Sequence, residues 1–126
     1  MAEGPSRYVD VLVVDDDEAV RSSCAAVIRT SGFSVEMAEN GDVALSVLQE
    51  VDVGVMLLDL VMPNGDGFSV LDALDDPPPV VLISAYAFNE DIRKRVGHKI
   101  TEYLQKPVSP HRLVPVVAGI VWGHTG

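Results

Sequence analysis

Val53-Gly54-Val55-Met56-Leu57-Leu58 is an unbroken apolar run, and Asp59 closes it. A run that shows no polar alternation reads as a strand covered on both faces, as in a parallel sheet. A carboxylate at the end of such a strand reaches the surface yet keeps low-dielectric walls around it. A second run, Val11-Leu12-Val13-Val14, ends in Asp15 and Asp16. If these strands are neighbours, three carboxylates converge on one spot. Such a cluster is unstable unless a cation or a basic residue answers it. The chain therefore reads as carrying a metal-dependent acidic site.

Working outward, apolar runs alternate with helical patterns from end to end. Strands are expected over 8–14, 33–38, 53–58, 80–84 and 102–105. Val20, Cys24, Val27 and Ile28 fall at helical spacing, with Gly32 as the stop signal. Asn40 precedes a second helix whose stripe is Ala44, Val47, Leu48 and Val51. A third, short helix carries Phe68, Val70, Leu71 and Leu74 and ends at Asp75-Asp76-Pro77-Pro78-Pro79. Asn89 caps a fourth, acidic in its first turn and basic near its end, as the helix dipole favours. Ser109-Pro110 opens the last. Five such units predict a flavodoxin-like (βα)5 three-layer sandwich, with parallel sheet order 2-1-3-4-5. In that order the first and third strands meet at the switch point, where ligands bind at carboxyl ends. Asp15, Asp16 and Asp59 all lie there. The expected organisation is a flexible segment over 1–7, one domain over 8–122 and a tail over 123–126.

Composition bounds the rest. A chain of 126 residues that is 48% hydrophobic fits one globular domain with its own core. A net charge of -10 argues against nucleic acid as a partner, because phosphate contacts need a basic face. The one cysteine, Cys24, excludes a disulfide framework and a thiolate cage, and reads as a small core residue. His98, His111 and His124 are not at paired ligand spacing and read as surface residues. The N-terminus has no apolar signal core, and no segment nears the about 18 apolar residues of a membrane span. A cytoplasmic location is expected.

Oxygen-only ligands favour a hard cation, Mg²⁺ first and Mn²⁺ in its place. A carboxylate beside such an ion can act as a nucleophile and form an acyl phosphate. Phosphoryl transfer needs its oxygens neutralised on several sides. Lys106, after the fifth strand, and the Ser84 hydroxyl, ending the fourth, stand on the same rim.

Val13-Val14-Asp15-Asp16, Asp59-Leu60-Val61-Met62-Pro63 with Asp66-Gly67, Ser84-Ala85 and Lys106-Pro107 together resemble the receiver domain of two-component response regulators, the chemotaxis-protein type included. The resemblance runs from about Tyr8 to Trp122. It implies that Asp59 is the phosphoacceptor for a sensor histidine kinase or histidine phosphotransfer protein. It implies Mg²⁺ held by Asp15, Asp16, Asp59 and the backbone carbonyl of Val61, with Lys106, ahead of a cis proline bond, pairing with the phosphoryl group. Ser84 and Tyr103 then form a switch, the ring turning inward as Ser84 moves toward phosphate. A homodimer or effector is expected on the face of helix 4, strand 5 and helix 5. No substrate turnover is expected beyond self-phosphorylation and dephosphorylation. Two other readings are a pseudo-receiver interaction module and a Mg²⁺-dependent phosphatase. The intact Asp15, Asp16, Asp59, Ser84 and Lys106 set speaks against the first. Leu60 and Val61, where a second acid is needed, speak against the other.

Plainer roles also exist. Asp17 reads as a helix cap, and Tyr103 taken alone as a half-buried strand aromatic. The chain departs from the receiver pattern in a short stretch between Asp59 and Ser84. Val61 and Tyr86 are bulky where attacking water would pass. Pro115 falls too late for a first turn and is expected to break or kink the last helix. The run 113–122 carries no charge, so it either packs as a short distorted helix or faces a partner.

Overall fold

The computed structural model describes residues 7–62 and 67–123. Pro63 and Asp66 of the quoted motif, and His124, lie outside the described residues.

Five strands form one parallel sheet: β1 (Arg7–Val14), β2 (Val35–Ala38), β3 (Val51–Asp59), β4 (Val80–Ser84) and β5 (Glu102–Gln105). Their order is β2-β1-β3-β4-β5, as the alternating runs predict. Between them lie α1 (Glu18–Thr30), α2 (Gly41–Glu50), α3 (Gly67–Asp72) and α4 (Glu90–Val96), and α5 (Pro110–Gly123) closes the chain.

The period of two along each strand divides the core. Leu12, Val14, Met56, Leu58, Val80 and Leu82 point to one face and pack with Ala44, Val70, Leu71, Ile92 and Val96. Val11, Val13, Val55, Leu57 and Val81 point to the other and pack with Ala25, Ile28, Leu113 and Val117. Helices α2, α3 and α4 therefore cover one face, and α1 and α5 the other. Burial on both faces is why β3 reads as a continuous apolar run.

The caps follow the sequence closely. Asp17, Asn40 and Asn89 each accept from a backbone N–H three residues on, at 3.1, 2.9 and 2.9 Å. Ser31 caps the end of α1, and Gly32 follows with φ 102, a left-handed conformation that glycine adopts without a Cβ clash. Arg7 pairs with Val51, so β1 begins one residue earlier than the pattern suggests. Val51, expected on the stripe of α2, is instead the first residue of β3.

Two departures concern helices. α3 spans 6 residues, and the Lys99 Nζ donates to the Leu71 carbonyl at 2.7 Å where another helical turn would have supplied a donor. Pro115 does not break the last helix: α5 runs unbroken over 14 residues with the proline inside it. Leu113 and Val117, one turn apart and on either side of Pro115, are both buried against the sheet and α1. Packing on both sides holds the helix through the missing N–H. The uncharged surface of α5 is mostly half-buried, and the Trp122 ring lies 5.0 Å from that of Phe33.

Candidate functional site

Register brings the site together. Val14 of β1 lies beside Leu58 of β3, so Asp15 and Asp59 emerge side by side. Asp59 lies beside Ile83 of β4, and Ser84 beside Gln105 of β5. The Lys106 N–H donates to the Ser84 carbonyl at 2.7 Å, which carries the ladder one residue past β5 and turns Lys106 toward the same rim. Residues remote in sequence thus meet because four parallel strands end at one level.

Asp15 and Asp59 are 7% and 6% exposed, whereas Asp16 is open to solvent. One oxygen from each carboxylate lies within 4.8 Å of the others. The Lys106 ammonium stands 3.3 Å from Asp59 Oδ2, and the Val61 N–H donates to Asp59 Oδ1 at 3.3 Å. The Asp17 N–H donates to Asp15 Oδ1 at 2.9 Å. Burial pushes both the Asp59 and Asp15 carboxyls above their ordinary range. Lys106 pulls each of them down, and the neighbouring acids, Asp15 at one and Asp16 at the other, push up again. One lysine does not balance three acids. An all-oxygen donor set that is partly buried and short of positive charge fits a hard divalent cation, and it does not fit a thiolate metal.

Ser84 is fully buried at the end of β4, its Oγ accepting from the Tyr86 N–H at 3.0 Å. Tyr103 is half-buried on β5, and its hydroxyl donates to the Tyr86 carbonyl at 2.6 Å. Its ring lies 5.0 Å from Phe88. Ser84 and Tyr103 are therefore tied to opposite sides of one residue, through its N–H and its carbonyl. The Lys106–Pro107 bond is cis. Val61 and Tyr86 are 53% and 61% exposed.

A cleft of about 230 Å³ opens beside Asp59 and Lys106, with Val13, Cys24, Leu57 and Leu113 among its apolar walls. Cys24 is buried there, and burial raises its thiol pKa, which keeps it protonated. The sequence missed two participants. Phe88 packs on Tyr103, and its signal was an aromatic in the strand-to-helix loop just before the cap Asn89. Arg21 donates through Nη1 to the Asp15 carbonyl at 2.8 Å, and its signal was a cation in an otherwise acidic helix start.

Comparison with known proteins adds the family. The family described as "Response regulator receiver domain" matches residues 11–118. An uncharacterized 14.6 kDa protein of Leptolyngbya boryana is 32% identical over 114 residues, covering 86% of this chain and 87% of its own. A putative NtrX-like response regulator of Rickettsia bellii is 31% identical over 111 residues. That match spans 84% of this chain but 23% of the relative's length. The receiver domain of the Francisella response regulator 1452 superposes with a TM-score of 0.82 at 28% identity, covering 94% of this chain and 99% of that one.

Proposed function

This chain belongs to the response regulator receiver domain family, and on that premise we propose that Asp59 accepts a phosphoryl group from a phosphohistidine of a sensor kinase or phosphotransfer protein. The observation that carries the reading is the meeting of Asp15, Asp16 and Asp59 within 4.8 Å, with Lys106 at 3.3 Å from the acceptor. A carboxylate oxygen of Asp59 forms the new P–O bond as the P–N bond breaks. The electron pair of that bond leaves with the imidazole, whose other ring nitrogen carries a proton in the phosphohistidine, so that it departs neutral.

The carboxylates of Asp15, Asp16 and Asp59 and the carbonyl of Val61 would hold Mg²⁺ or Mn²⁺, whose chemistry there is neutralisation of phosphoryl oxygens. Lys106 neutralises a second side, moving from the Asp59 carboxylate to the phosphoryl group that Asp59 then bears. The Ser84 hydroxyl supplies the third contact. To reach it, Ser84 exchanges its bond from the Tyr86 N–H, and the loop that also anchors Tyr103 shifts with it. The face of α4, β5 and α5 is then the surface that a second copy or an effector reads. Signalling, not substrate turnover, is the output, and nucleic acid is not a partner of this domain. Among the described residues no helix is long and apolar enough to cross a membrane.

The test is incubation with a small acyl phosphate, read as intact mass. Wild-type gains one phosphoryl group with Mg²⁺ and none with a chelator, and D59N gains none in either. Equal labelling of D59N, or none of wild-type, removes the proposal.

A further inference from the structure

Asp15 and Asp16 lie beyond the end of β1, on a loop, so something other than the sheet must set where their carboxylates stand. Three hydrogen bonds hold that loop. The Asp15 N–H donates to the Ala38 carbonyl at 3.2 Å, and the Asp17 N–H closes on Asp15 Oδ1 at 2.9 Å. The Asp15 carbonyl accepts from the Arg21 guanidinium at 2.8 Å.

Arg21 is the fourth residue of α1. A cation so near a helix N-terminus opposes the dipole, whose positive end lies there. Its position has a geometric reason. Helical side chains lean toward the N-terminus, so a long one in this place reaches back over the loop that precedes the helix. Asp15 is nearly buried, which leaves little water to replace a lost donor at its carbonyl.

We propose that Arg21 is a positioning residue for the cation site, holding the Asp15 carbonyl and, through that peptide, the spacing of the Asp15 and Asp16 carboxylates. This rests on the reading of Asp15, Asp16 and Asp59 as the Mg²⁺ site and assigns that site a residue outside the ligand set. Arg21 touches neither Asp59 nor Lys106 in any hydrogen bond described, so its effect falls on cation affinity before it falls on transfer.

Calorimetric titration of Mg²⁺ into wild-type, R21A and R21K protein tests this. R21A weakens Mg²⁺ binding about tenfold, the low end of what loss of an outer partner of a metal ligand costs. R21K, which keeps a donor of nearly the same reach, recovers part of it. In the absence of Mg²⁺ the amides of Asp16 and Asp17 exchange faster in R21A than in wild-type. The Mg²⁺ concentration that half-saturates labelling rises by the affinity factor, while the maximal rate falls by less. If R21A does not fold, R21Q, too short to reach the carbonyl, carries the same expectations. Affinity within about twofold of wild-type in R21A or R21Q overturns the role of Arg21 while the site stands. Wild-type that binds no Mg²⁺ overturns both.

Discussion

Asp15 stands where charge is disfavoured, because burial and the neighbouring Asp16 both raise its carboxyl pKa. The folded protein then holds that proton more tightly than the unfolded chain. Stability falls as pH rises from the unfolded value of 3.8 through the raised folded value, and stays lower above it. Asp15→Asn removes the charge yet keeps an oxygen for the Asp17 N–H. At pH 7 without divalent cation we expect it to raise stability by about 1 kcal/mol, a few degrees in Tm. The gain should vanish as pH approaches 3.8, and added Mg²⁺ should stabilise wild-type more than the variant. A lower Tm for the variant at pH 7 without Mg²⁺ would contradict the electrostatic account. Val61 and Tyr86 carry a second expectation at this scale. Both side chains are exposed, and each lies two residues after a rim residue, Asp59 or Ser84; we expect their bulk to keep water from an acyl phosphate on Asp59. Replacing them together by Asn and Ser should speed loss of the phosphoryl group about tenfold, a barrier change of about 1.4 kcal/mol. Decay at the wild-type rate would discard the shielding role.

At the scale of the element, α5 shows where local rules yield to packing. A proline one and a half turns into a helix removes one backbone hydrogen bond and crowds the carbonyl four residues back, here that of His111. The helix persists because Leu113 and Val117 anchor it on both sides of the defect. Pro115 itself is exposed, so Pro115→Ala restores the donor without disturbing the core. Denaturant unfolding should show a gain of about 1–2 kcal/mol, somewhat less than the full helical penalty because proline also restrains the unfolded chain. No gain would mean that α5 is locally unwound around residue 115. The shape of β3 was legible in the sequence because burial on both faces writes itself as an apolar run. The passage of α5 through Pro115 was not, since the sequence shows the lost donor and not the two buried anchors.

For the molecule as a whole, the carboxyl ends of the strands bring the candidate site together. Asp15, Asp59 and Ser84 were legible as site candidates because each follows an apolar run, and Lys106 because it stands between the fifth strand and Pro107; a parallel sheet aligns such ends. Arg21 was legible only as a cation in an acidic helix start, not as a partner of the Asp15 carbonyl, and the Tyr86 carbonyl was not legible. Arg21 reaches back to the loop before α1 and the Tyr86 carbonyl accepts from Tyr103 of β5, contacts that exist only once α1 has formed and β5 has paired with β4. The tie from Ser84 and Tyr103 to the two sides of Tyr86 also connects the surroundings of Asp59 to β5. Mass in solution, measured with and without a phosphoryl mimic and Mg²⁺, should therefore increase with the mimic if that face pairs copies of the chain. A strict monomer in both states counts against pairing and leaves an effector as its reader.

The central claim is that Asp59, and no other acid of this rim, bears the phosphoryl group. Its most direct test is reduction of the acyl phosphate with borohydride after labelling, followed by peptide sequencing by mass. The account predicts homoserine at position 59 alone, with Mg²⁺ present and not with a chelator. Homoserine at position 15 or 16, or at none of the three, would contradict it.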